Sequence, residues 1–420
     1  MSKTKRKVVV IGGGAIGIAT ASWLIRDDHD VTVIESGEIG AGASFGNAGC
    51  LNASSVVPMS MPGMLGQVPG WLLDPLGPLS IRWAYLPKLM PWLLRFIAAG
   101  SPARIREQAK ALQPLLHDSY GTYWPLVQNA GAEDLVRREG HLVVYRSEEK
   151  LAGDSLGWKL RRDNGIELEK LDQTALRDFD PALSPSFKIG LLIKANGHTV
   201  NPHRLINKLA AAFIRDGGRI IRTKAKDFHF ENEKLRSVGT LTGPIPADVA
   251  VVAAGAHSKP FSLALGDRIP LDTERGYHIV IANPEAIPRV PTLDAEGKFV
   301  ATPMEMGLRL AGTVEFAGLN AAPDWRRARK LLTLGRRLLP GLPETITEDK
   351  LSTWMGFRPS MPDSLPVIGP SRRSRDIFYA FGHGHIGLAS AAQTGRVIAD
   401  MVAGRTPFID ISMFRADRFM

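Results

Sequence analysis

The segment from Lys7 to Glu35 constrains the fold of this chain more than any other segment. It contains a short β-branched run, three glycines spaced G-x-G-x-x-G, an apolar helical pattern and a second β-branched run that ends on an acid. This order predicts a β-α-β unit of the kind that binds a dinucleotide. The predicted elements are a strand from Val8 to Ile11, a helix from Ala15 to Arg26 and a strand from Val31 to Ile34.

Each glycine of the motif has a separate physical role. Gly12 permits the tight turn after the first strand, Gly14 lets the backbone approach a pyrophosphate, and Gly17 lets the helix pack on the strand. The N-terminus of the helix adds free N–H groups and the positive end of a dipole. Glu35 lies about twenty residues beyond the glycines, where a carboxylate can accept a hydrogen bond from a ribose 2′-hydroxyl. The motif serves NAD and FAD equally well.

A secretory signal peptide is the main alternative interpretation of this N-terminal segment. Lys3 to Lys7 would be its charged region and Ala19 to Ala21 its cleavage site. The glycines would break the apolar helix of such a peptide, and the second strand with its terminal acid would have no role. Dinucleotide binding therefore explains the segment better.

Length and composition set the broad class of protein. The chain has 420 residues, enough for two or three domains, and its composition is typical of a soluble α/β protein. Its single cysteine, Cys50, excludes an internal disulfide and a cysteine-cluster metal site, and it fits a reducing cytoplasm. Histidines such as His117 and His203 show no metal-ligand spacing, so no metal site is predicted.

The net charge of +10 raises the question of an anionic partner. The basic clusters are not interleaved with stacking aromatic residues, and the chain has no nucleic-acid motif. No nucleic-acid partner is therefore predicted. A solvated basic face, or one that meets anionic lipid, explains the charge better.

The segment 69–99 is rich in leucine and tryptophan, but charges and prolines interrupt it. It does not qualify as a transmembrane helix. It could lie on a membrane surface with its tryptophans and cations at the level of the headgroups, or it could pack on the core of the protein itself. Both interpretations stay open, and the predicted location is the cytoplasm, either free or attached to the inner face of the cytoplasmic membrane.

Three further stretches rich in small residues predict close contact with a ligand. The loop 40–49 follows the first unit directly, and Gly255 follows a predicted buried strand from Asp248 to Ala253. Glycines 382, 384 and 387 stand immediately before a predicted helix that begins near Ser390, which makes a second anion site. An NAD enzyme has no evident need for this second site. A flavin has one, because its pyrimidine ring becomes electron-rich on reduction and a helix N-terminus stabilises that charge.

Taken in order from Lys7 to about Ala403, these motifs resemble those of the D-amino-acid oxidase superfamily of FAD-dependent amine oxidoreductases. The resemblance rests on the first motif, GAS-x-x-NAG at 42–49, Ala-Ala-Gly at 253–255, G-F-R-P at 356–359 and G-H-G-x-x-G at 382–387. The segment from Pro69 to Phe96 is similar to that of bacterial D-amino-acid dehydrogenases of the small-subunit type. Those enzymes pass electrons to the respiratory chain at the membrane.

The resemblance implies an α/β fold with an α+β cap, in which a Rossmann-like FAD-binding domain carries a smaller, antiparallel substrate domain. It implies domains that are discontinuous in sequence: 1–60, 195–268 and 350–420 for FAD, and 61–194 with 269–349 for the cap, including the membrane-associating candidate 69–99. It also implies a set of FAD-binding residues, in which Lys226 would contact adenine through its backbone. They are Gly12, Gly14, Ala15, Ile16, Gly17, Glu35, Ser36, Ala43, Ser44, Asn47, Ala48, Gly49, Lys226, Ala254, Gly255, Gly382, His383, Gly384, His385, Ile386 and Gly387.

Arg358 in G-F-R-P matches the arginine that binds the substrate carboxylate in this family. A guanidinium offers a planar, bidentate grip that fixes a substrate in one orientation. The alternative role is a structural ion pair with a carboxylate of the protein. Tyr277 and His278 are further candidates, because they could orient the amine or line the substrate pocket; alternatively, they are only residues of a strand edge.

The implied reaction is the oxidation of a D-amino acid, in which the Cα hydride passes to flavin N5 and the imine hydrolyses to a 2-oxo acid and ammonia. No strong protein base is required, because positioning and electrostatics do most of the work. The electron acceptor would be a quinone or another component of the respiratory chain. Secondary amines and related substrates (D-hydroxyproline, sarcosine, glycine) are the nearest alternatives. An NAD-dependent dehydrogenase, a flavin subunit of a hetero-complex and a tRNA-modifying flavoprotein remain as rivals.

Overall fold

The computed structural model describes residues 5–74 and 77–419. The strands in these ranges are β1 (Lys7–Ile11), β2 (Asp30–Glu35), β3 (Cys50–Leu51), β4 (Leu79–Ile81), β5 (Val136–Arg137), β6 (His141–Tyr145), β7 (Glu169–Leu171), β8 (Ile189–Ile193), β9 (Gly197–Thr199), β10 (Arg219–Arg222), β11 (Ala225–Glu231), β12 (Lys234–Thr240), β13 (Ile245–Pro246), β14 (Val249–Val252), β15 (Asp272–Ile281), β16 (Thr292–Asp294), β17 (Phe299–Met304), β18 (Gly307–Phe316), β19 (Leu351–Ser360), β20 (Val367–Pro370) and β21 (Ile377–Phe381).

The α-helices in these ranges are α1 (Ala15–Arg26), α2 (Met64–Leu73), α3 (Leu86–Ala99), α4 (Pro102–Leu116), α5 (Ser119–Asn129), α6 (Glu148–Gly153), α7 (Ser155–Asp163), α8 (Gln173–Phe179), α9 (Pro202–Arg215), α10 (Lys259–Ala264), α11 (Arg326–Leu338) and α12 (Ala391–Val402). Among the described residues, no helix has both the length and the apolar character needed to cross a bilayer.

The first sheet has six strands in the order β10-β2-β1-β14-β21-β20. Its first five strands are parallel, and β20 pairs antiparallel with β21 at the edge. The strands β14 and β21 are buried along their whole length, which is why they consist of continuous apolar runs. The chain leaves β1 toward β2 on one side and reaches β14 on the other, so a crevice opens beyond the carboxyl end of β1. The predicted β-α-β unit is confirmed.

Helix α1 covers one face of this sheet and packs against α12. The contact is close because Gly395 of α12 lies against the α1 backbone, where a Cβ on Gly395 would meet Ala19 C and O at 2.8 Å. The alanines of α1 are fully buried on this face, including Ala19 and Ala21. The N-terminal and C-terminal parts of the chain are therefore joined in one core.

The second sheet has nine strands and forms the cap. Its main path is β19-β15-β18-β17-β16-β6-β8-β7, and β4 pairs with β18 beside it. All pairs are antiparallel except β16 with β6 and β4 with β18. The predicted antiparallel cap is confirmed, but its sheet has more strands than the sheet of the FAD-binding domain.

The structure departs from the predicted division of the chain at two places. Strand β19 lies in the cap sheet, where Arg358 is paired in register with Glu274 of β15, whereas the range 350–420 had been assigned to the FAD-binding domain. Helices α4 and α5 lie in the same apolar core as β1, through residues such as Leu112 and Tyr123, although 61–194 had been assigned to the cap.

Proline commonly breaks a helix, but Pro114 and Pro125 do not do so here. Both prolines lie inside helices, α4 and α5 respectively. The chain instead breaks at Asp118, whose side chain accepts a hydrogen bond from Gly121 N at 2.9 Å and so caps α5. The boundary between α4 and α5 therefore lies at the capping aspartate and not at either proline.

Candidate active site

A cavity of about 1350 Å³ lies between the two sheets. It extends from the β1–α1 turn, past the ends of β14 and β21, to the inner face of the cap sheet. A pocket for one small molecule commonly has a volume of about 300–1,000 Å³. This cavity is larger, and it has room for a dinucleotide together with a substrate.

The glycines of the first motif form one end of the cavity. Gly12 has φ +115°, and a Cβ at this position would lie 2.5 Å from Ala253 O. A Cβ on Gly17 would lie 1.9 Å from Gly12 O, so the helix can approach the turn only because Gly17 has no side chain. By contrast, Gly14 lines the cavity, and a Cβ there would meet only Ser44 Oγ at 3.3 Å. The motif thus combines two packing glycines with one that leaves backbone open to a ligand.

Side chains hold this end of the cavity in shape. Ser44 Oγ accepts a hydrogen bond from Ala15 N at 3.0 Å, at the N-terminus of α1. The carboxylate of Glu35 accepts hydrogen bonds from Gly13 N at 2.7 Å and Gly37 N at 2.8 Å. These bonds fix the direction of the Glu35 carboxylate, which also lines the cavity.

The cap sheet holds the loop 42–49 against the cavity. Arg309 of β18 donates hydrogen bonds through Nη1 to Phe45 O at 3.3 Å and to Asn47 O. Burial lowers the pKa of Arg309 to about 10. Gly46 lies flat on the ring of Trp354, since a Cβ there would be 2.0 Å from that ring. The loop is therefore positioned by the cap as well as by its own sequence.

His278 belongs to this support and is not part of the cavity wall. Its Nδ1 donates a hydrogen bond to Gly46 O at 3.1 Å, and its ring stacks on Trp354 at 5.2 Å between centroids. Burial lowers its pKa to about 3, so the ring is neutral. The structure therefore does not place His278 where it could touch a substrate in the cavity.

Tyr277 lies on the opposite face of β15 and does line the cavity. Its hydroxyl donates a hydrogen bond to Glu315 Oε2 at 2.5 Å and accepts one from Asp324 N at 3.0 Å. Burial and the Glu315 hydrogen bond raise the pKa of Tyr277 to about 12. With both bonds made inside the protein, the hydroxyl is not available to orient an amine, and only the ring contributes to the wall.

The guanidinium of Arg358 lies over the backbone of Gly276, where a Cβ would be 2.5 Å from its Cζ. Its Nη1 donates a hydrogen bond to Thr313 O at 3.0 Å. Thr313 has φ +62°, an unfavourable value for a β-branched residue, at an irregularity in the pairing of β15 with β18. The strained backbone thus supplies an acceptor for Arg358.

Within the described ranges, no carboxylate lies within 4.0 Å of the Arg358 guanidinium, and its side chain lines the cavity. Burial lowers the pKa of Arg358, and the charge of Glu274 opposes this shift. Burial in turn raises the pKa of Glu274, although Arg358 and a hydrogen bond from Ser360 act in the opposite direction. Arg358 is therefore a desolvated cation without an ion-pair partner, facing the cavity.

The glycine-rich loop 382–387 adjoins Arg358. Gly384 N donates a hydrogen bond to Pro359 O at 2.8 Å, which ties the loop to β19. Gly382 has φ +85°, and a Cβ there would lie 2.7 Å from Met361 Cγ. His383 is buried, with its Nε2 3.0 Å from Thr394 Oγ1 of α12, and burial lowers its pKa to about 3.

His385 has a different environment from His383. Its side chain is enclosed by the protein but exposed to the cavity. Burial, together with the charges of Arg358 and Arg161, lowers its pKa to about 4. A neutral imidazole therefore lies near enough to two cationic side chains to be affected by the charge of each.

Most of the residues predicted from the sequence are gathered in this one cavity. Those that line it are Gly12, Gly14, Ala15, Ile16, Glu35, Ser36, Ala43, Ser44, Asn47, Ala48, Lys226, Ala254, Gly255, Tyr277, Arg358, His383, Gly384, His385, Ile386 and Gly387. The other four do not: His278 supports the loop 42–49, Gly17 and Gly49 pack against backbone, and Gly382 lines a smaller adjoining pocket of about 20 Å³. Cys50 also lines the cavity, and burial raises the pKa of its thiol to about 12.

Sequence reasoning missed the cap side of the cavity. This wall is mainly apolar, with a few polar groups, and its residues include Asn52, His141, Val143, Trp158, Arg161, Ile193, Leu293, Val300 and Ala311. The alternation of the cap strands indicates that one face is buried, but it does not indicate against what. Arg161 is a cation of this wall. The sequence holds one signal for its position, because Arg161 follows Trp158 by three residues and both therefore lie on the same face of a short helix.

The fold and the cavity are those of a flavoprotein: an open parallel sheet that presents bare glycines, a second glycine-rich loop before a helix, and an antiparallel cap. The chain belongs to the DAO family of FAD dependent oxidoreductases, whose description matches residues 7–401. It is thus an FAD-dependent oxidoreductase, and the prediction of FAD is confirmed.

Two relatives of known name match nearly the whole chain. A D-amino-acid oxidase of Bradyrhizobium diazoefficiens is 43% identical over 418 residues, which is 99% of this chain and 99% of that protein. A D-amino acid dehydrogenase of Rhizorhabdus wittichii is 30% identical over 420 residues, which is 98% of this chain and 100% of that protein.

Solved structures of low sequence identity show the same fold. A glycine oxidase from Bacillus cereus ATCC 14579 superposes with a TM-score of 0.72 at 20% identity, covering 95% of each chain. An L-amino acid deaminase from Proteus vulgaris superposes with a TM-score of 0.76 at 16% identity, covering 100% of this chain and 98% of the other.

Features of the structure itself agree with FAD. Around Gly14, Gly42 and Gly255, the space that a Cβ would occupy is open or nearly so, and all three residues line the cavity. A dinucleotide can therefore lie directly on the backbone at these positions, with its pyrophosphate at the N-terminus of α1.

Proposed function

We propose that the protein oxidises D-amino acids and that Arg358 binds the α-carboxylate of the substrate. The observation that carries this proposal is the position of Arg358, a desolvated guanidinium without an ion pair, one residue away from the hydrogen bond between Pro359 and Gly384. The names of the two full-length relatives support a D-amino acid as the substrate. Bound FAD would accept the hydride from Cα, and the released imine would hydrolyse in water to a 2-oxo acid and ammonia.

The residues of the chain would contribute mainly by positioning the substrate. A guanidinium binds a carboxylate through two parallel hydrogen bonds, which fixes the orientation of Cα. The Thr313 carbonyl holds one side of this guanidinium, and the low dielectric of the buried site strengthens its attraction for an anion. His385 is neutral and therefore adds no positive charge that would repel the substrate amine.

The experiment that tests this function is anaerobic mixing of the purified FAD enzyme with a panel of compounds. The panel contains matched D- and L-amino acids together with glycine, sarcosine and D-hydroxyproline, and the readout is bleaching of the flavin absorbance. We expect D-amino acids to bleach the flavin much faster than their L-enantiomers. If only the secondary amines or glycine bleach the flavin, D-amino acids are not the substrates, and the function is the oxidation of those compounds. If no compound bleaches the flavin of the isolated chain, the proposal fails, and a subunit of a hetero-complex becomes the better account.

We also propose that the enzyme passes its electrons to a membrane quinone and contacts the membrane through α2, α3 and residues 77–85. Helix α3 packs on the protein through Leu89 and Trp92, which contact Phe316 of β18. Its other face and the preceding segment are apolar and exposed: Leu73 is 83% exposed, Trp83 73% and Leu94 61%. Single exposed apolar residues are ordinary, but a cluster of this kind is typical of an interaction surface.

Two cations of α3, Lys88 and Arg95, are exposed beside this apolar surface, which suits anionic headgroups. Sedimentation with phosphatidylglycerol-containing vesicles would test the contact. We expect binding that weakens as salt is raised and that is lost in a Trp83→Ser/Leu94→Ser double variant. Leu241→Ser, at another exposed leucine, is the matched control and should bind as the wild type does. If the protein does not sediment with vesicles at low salt, the proposed membrane contact is wrong. If oxygen reoxidises the reduced flavin faster than a soluble quinone does, the proposed acceptor is wrong.

A further inference from the structure

Arg161 is a second arginine of the cavity wall that has no ion-pair partner. It lies near the end of α7, and its side chain is enclosed by the protein but keeps accessible surface toward the cavity. Its Nε donates a hydrogen bond to Ser54 O at 3.2 Å, and its guanidinium carbon lies 4.5 Å from the centre of the Trp158 ring. These two contacts fix the direction of the guanidinium.

The two terminal nitrogens of Arg161 are left free by these contacts. Throughout residues 5–74 and 77–419, neither donates a hydrogen bond to the protein, and no carboxylate lies within 4.0 Å of them. The carboxylate that attracts Arg161 most is that of Asp154. Asp154 is engaged elsewhere, because it accepts a hydrogen bond from Tyr145 Oη at 3.0 Å and lies 3.9 Å from Lys298 Nζ.

A buried cation without an anion is unfavourable, because no ion pair offsets the free energy that desolvation of the charge costs. Burial accordingly lowers the pKa of Arg161, as it does for Arg358. The site would therefore be stabilised by an anion that enters from the cavity. A guanidinium with two free terminal nitrogens suits a carboxylate, which accepts two parallel hydrogen bonds.

The two arginines line the cavity from different elements, and both act on His385. Arg358 lies on β19 of the cap sheet and Arg161 on a helix, and the charge of each lowers the pKa of His385. Asp272 of the cavity wall is already used by hydrogen bonds from Tyr85 Oη at 3.0 Å and Thr273 N at 2.7 Å. Glu274 attracts Arg358 but forms no ion pair with it within 4.0 Å. This end of the cavity thus offers two separate cationic positions, and one α-carboxylate occupies only one of them.

We propose that the substrate is an acidic D-amino acid, D-aspartate or D-glutamate, whose α-carboxylate binds Arg358 and whose side-chain carboxylate binds Arg161. This inference rests on the proposed oxidation of D-amino acids and specifies the class of substrate. Apolar residues of the same cavity wall, including Val143 and Ile193, would face the methylene groups of the side chain.

The test compares pairs of substrates that are nearly equal in size but differ in charge. We expect the wild-type enzyme to have a kcat/KM for D-glutamate roughly 10- to 100-fold higher than for D-glutamine, the value of a charged hydrogen-bonded contact. D-Aspartate and D-asparagine provide the second pair. Arg161→Met removes the guanidinium but keeps an unbranched apolar side chain beside Trp158, and it should reduce the acid-to-amide ratio to near one.

The matched control is Arg162→Met, because Arg162 is the exposed neighbour on the same helix and should leave the ratio unchanged. Binding without turnover gives an independent readout. Glutarate should raise the melting temperature of the wild-type holoenzyme more than pentanoate does, and this difference should disappear in Arg161→Met.

The outcomes separate this inference from the proposed function. If amides are oxidised as well as acids by the wild type, the acidic specificity is wrong while D-amino-acid oxidation stands. If Arg161→Met slows acids and amides equally, Arg161 either shares the α-carboxylate or is structural, and the inference is overturned. If no D-amino acid reduces the flavin, the proposed function itself has failed.

Discussion

Gly384 donates its backbone N–H to the carbonyl oxygen of Pro359 at 2.8 Å. This one bond joins the glycine-rich loop near the C-terminus to the strand of the cap that carries Arg358. The loop lies between β21 of the parallel sheet and α12, and the arginine lies in the antiparallel cap sheet. The bond therefore links the two sheets at the cavity wall.

The packing of Gly17 leads to a prediction about the first motif. Gly17→Ala places a Cβ 1.9 Å from Gly12 O, a backbone atom that cannot move aside. We expect a loss of about 1–3 kcal/mol in the free energy of unfolding and release of FAD. Gly153→Ala is the control, because nothing lies within 4 Å of its Cβ position and its φ is not positive. Denaturant titration and flavin content measure the two effects, and an unaltered Gly17→Ala would contradict the packing described above.

Arg309 leads to a prediction about the loop 42–49. Arg309→Met removes the hydrogen bonds from its guanidinium to Phe45 O and Asn47 O. We expect FAD to bind about tenfold or more weakly, since a hydrogen bond from a charged group contributes about 1.5–3 kcal/mol. The exposed Arg326 is the control, and Arg326→Met should bind FAD normally. Equal FAD affinity in wild type and Arg309→Met would show that the loop does not depend on the cap.

Substitution of Tyr277 distinguishes a structural role of its hydroxyl from a catalytic role. Tyr277→Phe removes the hydrogen bonds to Glu315 and Asp324, so we expect the free energy of unfolding to fall by about 1–2 kcal/mol. The rate of flavin reduction and its substrate dependence should stay close to the wild-type values. A large rise in KM without a loss of stability would instead assign the hydroxyl to the substrate.

The buried histidines predict acid sensitivity. In the folded protein, the pKa values of His141, His278 and His383 are lowered to about 3, and those of His198 and His385 to about 4. In the unfolded chain each returns to about 6.5 and binds a proton first. Between pH 6.5 and 4 the unfolded state therefore holds more protons, so stability falls as the pH is lowered.

Each such histidine steepens this loss by up to about 1.4 kcal/mol per pH unit. Thermal unfolding between pH 4 and 7 measures it. His198→Asn should flatten the dependence, whereas His117→Asn, at an exposed histidine, should leave it unchanged. A stability that does not change over this range would contradict the neutral, buried state of these rings.

The FAD end of the site could be predicted from the sequence because its determinants are local. The roles of Gly12 and Gly17 follow from the spacing of one motif, and their contacts are made within that motif and with the adjacent strand. Arg358 was found through a short motif as well. The choice between Tyr277 and His278 could not be made, because adjacent strand residues face opposite sides and only the register in the cap determines which side is the cavity.

Arg161 could not be predicted for a related reason. In the sequence it is one of two consecutive arginines on a charged helix, and nothing local distinguishes it from Arg162. The difference arises from tertiary packing, because α7 is placed so that Trp158 and Arg161 face inward while Arg162 is exposed. A cavity wall assembled from several distant elements is therefore the part of such a site that local patterns do not predict.

Anaerobic flavin reduction by a D-amino acid in Arg358→Leu, compared with Arg358→Lys and the wild type, tests the central claim most directly. The account predicts that Arg358→Leu retains FAD but requires roughly 10- to 100-fold more substrate for half-maximal reduction, because a charged contact to the carboxylate is lost. Arg358→Lys should lie between the two, since it keeps the charge but not the bidentate geometry. An Arg358→Leu enzyme that is reduced at wild-type substrate concentrations would contradict the account.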